Sequence, residues 1–250
     1  MHVLLPPSET KRPGGALAFA FEALAFPELS SLRRELRDAL VELSADREAS
    51  ARALKLSPRQ SGEIERNAEL PLAPAMPAID RFDGVLYDSL GAETLDGAAR
   101  SFLARTVLIQ SALWGPVAAL DPIPAYRLSH DSRIPGKPLK RWWAGSAGAA
   151  LSSLEGLVLD LRSEAYAALG PVASGEGRFF VRVRSRGADG VLRNLNHFNK
   201  QSKGLFVRAL AEDAVETDSL SELAAWSAGR GFELSLNEST GELDLVVPEA

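Results

Sequence analysis

The chain has 250 residues, 46% hydrophobic and 24% charged, a globular composition that excludes extended disorder and fibrous repeats. It contains no cysteine, which excludes a disulfide framework, thiolate metal sites and any thiol-based peroxidase or redox relay. The formal net charge of −5 does not point to nucleic acid, so a polyanion site would have to be a local basic patch.

Val3 to Leu5 reads as a strand entering the loop Pro6-Pro7-Ser8-Glu9-Thr10-Lys11. The apolar stretch Ala16 to Phe26 follows Lys11 and Arg12 and faintly mimics a secretory signal. Glu22 interrupts it and a strand-like run precedes it, so a buried helix or loop is the preferred reading. No stretch approaches the ~20 apolar residues that span a bilayer, and a cytoplasmic protein with no membrane partner is expected. Leu29, Leu32, Leu36, Leu40 and Leu43 recur at steps of three and four, predicting an amphipathic helix over 28–43 with Pro27 in its first turn. Two shorter helices follow, 46–55 and 58–67, with Ser57-Pro58 as cap and first turn of the second. Ile79, Phe82, Leu86 and Leu90 predict one further helix. Thr106 to Ser111 and Gly156 to Leu161 are strands of the kind buried on both faces. A loop over 121–141 leads to a small-residue helix at 143–154. Residues 178–184 alternate as a half-exposed strand, then Gly187-Ala-Asp-Gly190 turns into Val191–Leu195. Helices over 197–212 and 219–228 precede a closing hairpin that sets Phe232, Leu234 and Leu236 against Leu243, Leu245 and Val247. With no repeat and no linker, the expected fold is α/β (α+β mixed), one domain over 1–250 with a mixed β-sheet flanked by helices.

Charge is distributed unevenly. Residues 178–208 carry eight Arg or Lys, Arg193 among them, and one acid; residues 209–250 carry ten acids and only Arg230; the loop 127–143 carries five basic residues and Asp131. Such runs are commonly solvated faces, but the 197–212 helix adds a detail. At about 100° per residue, Phe198, Ser202, Leu205, Phe206 and Ala209 share one arc, and Lys200 and Lys203 fall together on the other side. Asn194, Asn196, His197 and Asn199 crowd its N-terminus, where free N–H groups and the dipole favour an anion, although any single Asn is better accounted for as a helix cap or strand end.

Several chemistries are missing. His2, His130 and His197 form no recognisable metal motif, so no metal and no cofactor is expected. Gly145-Ser-Ala-Gly148 lacks the Gly-Lys-Ser/Thr of a phosphate loop and is better explained by close helix packing. Asp160-Leu-Arg-Ser-Glu-Ala-Tyr166 sets polar groups just after a buried strand, where α/β sites sit, though a helix cap accounts for part of it.

Taken in order, five blocks resemble the YaaA-like peroxide-stress family in its actinobacterial form: Leu4-Leu-Pro-Pro-Ser-Glu-Thr-Lys11; Phe82-Asp-Gly-Val-Leu-Tyr-Asp-Ser-Leu90; Ser111-Ala-Leu-Trp-Gly115 through Asp121 to Tyr126-Arg-Leu128; Leu159-Asp-Leu-Arg-Ser-Glu-Ala-Tyr166; and Asn196-His-Phe-Asn-Lys-Gln-Ser-Lys-Gly204 with Arg208. The resemblance implies one α/β domain, a basic cleft, a helix-hairpin-helix-like element (here the helices at 46–55 and 58–67), protection from hydroperoxide, limitation of free iron, and DNA binding. It makes Arg127, Lys200, Lys203 and Arg208 cleft positions and brings Ser163, Glu164 and Tyr166 into the strand-end motif. Glu9 and Gln201 stand where many members have lysine, and the turn Lys55-Leu-Ser-Pro58 lacks the glycine usual in a DNA-binding hairpin.

Two activities are therefore expected in competition. One is phosphate-mediated DNA binding through Arg127, Arg193, His197, Lys200, Lys203 and Arg208, without base readout. The other is an enzyme on a nucleotide-like phosphorylated metabolite, with Ser163, Glu164 and Tyr166 as the catalytic candidates. A third reading is a structural partner protein that uses the acidic tail. A deep cavity sized for one nucleotide, with Glu164 and Lys200 on opposite walls, favours the enzyme; an open basic groove favours DNA.

Overall fold

The computed structural model describes residues 1–187, 190–194 and 198–248. The leucine repeat forms α1 (Ser30–Leu43), which buries Leu36 and Leu40, while Pro27 opens a separate short turn ahead of it. Next come α2 (Arg47–Leu54), whose first turn is capped by the Asp46 carboxylate, and α3 (Gly62–Ala68), entered through the turn Pro58–Gln60. Lys55 joins them in a left-handed conformation, φ 53°, so the glycine-free turn forms at the cost of a strained non-glycine residue.

The helix expected across 79–90 is two helices, α4 (Ala78–Arg81) and α5 (Val85–Leu90). Gly84 breaks them apart at φ 111°, a conformation open only to glycine without strain, and the Asp83 N–H is taken by the Thr10 carbonyl instead of by a helix. A helix not anticipated, α6 (Gly97–Thr106), starts from an Asp96 cap, and α7 (Leu139–Ser152) begins four residues earlier than expected. The remaining helices are α8 (Glu164–Ala167), α9 (Asn199–Glu212) and α10 (Leu220–Gly229).

The strands are β1 (His2–Leu5), β2 (Ala75–Pro77), β3 (Val107–Ser111), β4 (Gly115–Ala118), β5 (Pro122–Pro124), β6 (Val158–Asp160), β7 (Arg178–Arg186), β8 (Leu192–Asn194), β9 (Glu233–Asn237) and β10 (Glu242–Pro248). The main sheet runs β4-β3-β1-β6-β7-β10-β9, with β8 also on β7; β2 and β5 form a separate pair. β3, β1, β6, β7 and β10 are mutually parallel, and β4, β8 and β9 join antiparallel. The mixed sheet and the closing hairpin, with Leu236 opposite Leu243 and Leu234 opposite Leu245, follow the alternation of the sequence. Among the described residues no helix is long and apolar enough to cross a membrane.

Two consequences position the site. From β1 the chain travels to β3 on one side, whereas from β6 it travels through α8 to β7 on the other. Connections leaving the carboxyl ends of β1 and β6 therefore diverge and open a crevice between them, the topological switch point where ligands of open α/β sheets bind. The second consequence concerns charge. β10 lies parallel beside β7, so Arg182 forks onto Glu242 (2.8 and 2.9 Å), Arg184 meets Asp244 at 3.0 Å, and Arg186 reaches Glu233 of β9 at 2.6 Å. The basic strand and the acidic tail largely neutralise one another.

Candidate functional site at the switch point

The wall of the crevice that follows β1 is fixed by Lys11. Its side chain is buried, the ammonium lies 4.2 Å from the Tyr126 ring centroid, and it donates to the carbonyls of Ser8 (3.0 Å) and Glu9 (3.1 Å). Burial pulls this amine down to about 7; Arg127 pushes the same way while Glu63 and Glu9 oppose. The loop is also held by the Tyr87 hydroxyl, which donates to the Pro6 carbonyl at 2.7 Å. The break at Gly84 thus brings α5 against the strand-end loop, and Val85, Leu86 and Tyr87 become cavity wall.

The opposing wall follows β6. Ser163 caps the short α8, its hydroxyl accepting from the Tyr166 N–H at 3.4 Å. Tyr166 is buried edge-on to His130, ring centroids 5.2 Å apart, and burial pushes its phenol up to about 12. The first turn of α9 closes the space with Asn199, Lys200 and Lys203, leaving a cavity of about 580 Å³. A second cavity of about 570 Å³ runs along the middle of β7, past Phe180 and Arg182, and shares Ser163, Asn199, Lys200 and Lys203 with the first. The two lysines stand on the partition between both spaces.

Lys203 corrects an expectation. It does not lie with Lys200 on a solvated face but is buried, while Leu205, assigned to the inner arc, is 43% exposed. The reason is Gly204, which lets α9 approach α5 so closely that a Cβ there would sit 2.2 Å from the Leu86 carbonyl oxygen. That contact turns the helix so that Lys203 faces inward. Its burial, with Arg182 and Lys200 nearby, brings the amine down to about 8, against the opposing charge of Asp160. Asp160 is itself committed: Arg162, fully buried, forks onto it at 2.8 and 2.6 Å and reaches Gln110 at 3.0 Å. Among the described residues neither Lys200 nor Lys203 has a hydrogen bond or an ion pair.

Ser163, Tyr166, Lys200 and Lys203 are therefore brought together. Glu164 is not on the first cavity; it faces the second and pairs with Arg182 at 2.7 Å. Arg127 stands behind the site, 3.2 Å from Glu9, whose carboxylate also accepts from Ser129. Arg208 is removed from the site: its guanidinium binds the carbonyl of Leu90 (3.0 Å), Thr94 and Glu212, closing the C-terminal end of α5. Arg193 is exposed on β8, opposite Ser185, and does not line either cavity. His197 and Asn196 lie outside the described residues. Sequence reading missed Lys11 and Tyr87 as supports and His130 as a wall; the signal available was a polar loop directly after the first buried strand.

A family model described as "Peroxide stress protein YaaA" matches residues 1–237. The chain belongs to this family. Every residue lining the switch-point cavity falls within the matched span. The chain is 41% identical over 254 aligned positions to an UPF0246 protein of Corynebacterium efficiens, covering 99% of this chain and all of the relative. It is 40% identical to an UPF0246 protein of Streptomyces coelicolor (94% and 92% covered) and 30% identical to one of Streptococcus pneumoniae (65% and 69% covered).

Proposed function

We propose that this chain limits iron-linked damage during hydroperoxide stress, and that it does so by binding a nucleotide or similar phosphorylated metabolite at the switch-point cavity. The observation that carries the ligand reading is a pair of lysines, without hydrogen bond or ion pair among the described residues, on the wall of a 580 Å³ cavity, a volume within the range of small-molecule sites, about 300–1,000 Å³. Lys200 supplies charge at the surface and Lys203 from within, with the Ser163 hydroxyl beside them. Tyr166, kept protonated by burial, would act as a proton donor if chemistry follows binding. Having no cysteine, the chain would act upstream of peroxide removal. A strain lacking it is expected to be hypersensitive to hydroperoxide and rescued by an iron chelator; unchanged survival and unchanged free iron would remove this role.

DNA binding through phosphates is the second reading, favoured by the exposure of Lys200 at the cavity mouth. It has less to work with than the charge count suggests, because Arg182, Arg184 and Arg186 face acids of β9 and β10 and Arg208 is spent on α5. The two readings separate on Lys200→Ala/Lys203→Ala. If DNA is the ligand, each lost phosphate contact lowers the slope of log affinity against log salt by about 0.9, roughly 2 units for the pair, equally for all sequences. If a nucleotide is the ligand, thermal stabilisation by it disappears in the variant, and duplex DNA binds the wild type poorly at physiological salt. A duplex titration at two salt concentrations beside a thermal-shift screen of nucleotides reads both.

A further inference from the structure

We infer that Lys203 is a carbonyl-reactive amine: it condenses with an aldehyde or ketone that also carries a phosphate or carboxylate, which Lys200 holds at the mouth of the same cavity. The inference rests on the anion-binding reading above and goes beyond it in naming a covalent step and a substrate class.

The geometry separates Lys203 from the five other lysines of the chain. It is buried yet lines both cavities. No carboxylate among the described residues is within ion-pair distance of it, and Asp160, the acid whose charge it feels, is paired with Arg162. Desolvation of this kind raises the share of the amine that holds a free lone pair near neutral pH, the condition under which lysine becomes a nucleophile. A fall from the ordinary lysine range to about 8 leaves roughly two orders of magnitude more free amine at pH 7. Lys11 shows that acidity alone does not decide the matter. Its amine is brought lower still, to about 7, but it is engaged with two carbonyls beneath an aromatic ring and lines neither of these cavities.

The step balances without a redox partner. The Lys203 lone pair attacks the carbonyl carbon, the carbonyl oxygen takes up a proton, and the resulting carbinolamine loses water to leave a C=N bond on Nζ. The two amine hydrogens leave with the oxygen as water. The Tyr166 phenol, protonated at all physiological pH, and the Ser163 hydroxyl line the same cavity and are the proton donors at hand. Around Lys203 the groups that set its charge are Asp160, Arg182 and Lys200. Glu9, Asp83 and His130 line the first cavity, Glu164 lines the second, and Tyr87 comes from the packed α5.

Pyridoxal 5′-phosphate serves as the probe, purely as an aldehyde bearing a phosphate. The full chain is incubated with it, reduced with borohydride and mapped by peptide mass. Lys203 is expected to be labelled at least about tenfold faster than Lys137 or Lys140, to slow in excess inorganic phosphate, and to accelerate as pH rises through about 8. Lys203→Met should lose the preferred label, and Lys200→Met should keep it at a higher probe concentration. Labelling led by Lys11, or spread evenly over the lysines, overturns the inference. Phosphate-competable binding of the probe with no reducible imine on Lys203 also overturns it while leaving the anion site standing. Absence of both binding and imine removes the inference and the anion-site reading together. Because the wild type alone reads these outcomes, a variant that fails to fold does not obscure them.

Discussion

Replacing Arg162 with methionine is expected to lower the unfolding free energy by about 3–5 kcal/mol, the usual cost of removing one member of a buried ion pair. Arg162 is 1% exposed and Asp160 6%, so the carboxylate left behind loses its directly paired charge with little water to replace it. Gln110 loses its donor as well. Against a total stability of about 5–15 kcal/mol for a domain of this kind, urea denaturation should detect the change easily. Asp160→Asn/Arg162→Met removes the charge together with its partner, and such double replacement in a buried pair is often close to neutral. The double variant should therefore recover most of the loss. A second readout links the pair to the site: with Arg162 gone, Asp160 is free to favour the charged form of Lys203, and the pH at which Lys203 becomes reactive should move upward. Equal stability losses in the single and double variants would show that Arg162 matters for packing alone.

Much of the scaffold was legible because it is written in local periodicity. The leucines of α1, the alternation of β7 and the closing hairpin all repeat at the spacing of the element they form, and each is found where its pattern lies. The strand-end motif from Asp160 to Tyr166 was legible as site material for a different reason: polar residues directly after a short buried run mark the carboxyl edge of a sheet. What was not legible depends on contacts between distant parts of the chain. The neutralisation of β7 needs β10 at its side in parallel register, Asp244 beside Arg182, a pairing across some sixty residues that no local window shows. Likewise, apolar counting put Leu205 inside and Lys203 outside. The face of α9 that packs is made of Ser202, Gly204, Phe206, Val207 and Leu210, and small residues pack closely without registering as hydrophobic. The split of 79–90 turned on Gly84, whose left-handed backbone is a property of the loop it meets, Ser8 to Lys11, rather than of its own neighbours.

Gly204→Ala is expected to destabilise the chain by about 2–3 kcal/mol, at the upper end of overpacking costs, even though alanine is the better helix former by about 0.8–1 kcal/mol. The added Cβ would lie 2.2 Å from the Leu86 oxygen, 2.9 Å from the Ser89 Cβ and 3.0 Å from the Leu90 nitrogen. Two of these three atoms are backbone of α5, which cannot rotate aside, so the helices must separate along their length. Separation loosens Phe206, Val207 and Leu210, all wholly buried, and moves Lys200 and Lys203 away from Tyr166 and Ser163. Ligand binding at the cavity should therefore weaken by more than the loss of stability explains, measured on protein that remains folded at low temperature. Gly145 supplies the control. It too lies within a helix, α7, and a Cβ there meets nothing within 4 Å, so Gly145→Ala should be stabilising by about 0.5–1 kcal/mol. If both alanine variants gain stability, α9 and α5 are not in the close contact that turns Lys203 inward, and the burial on which the amine's reactivity depends is lost with it.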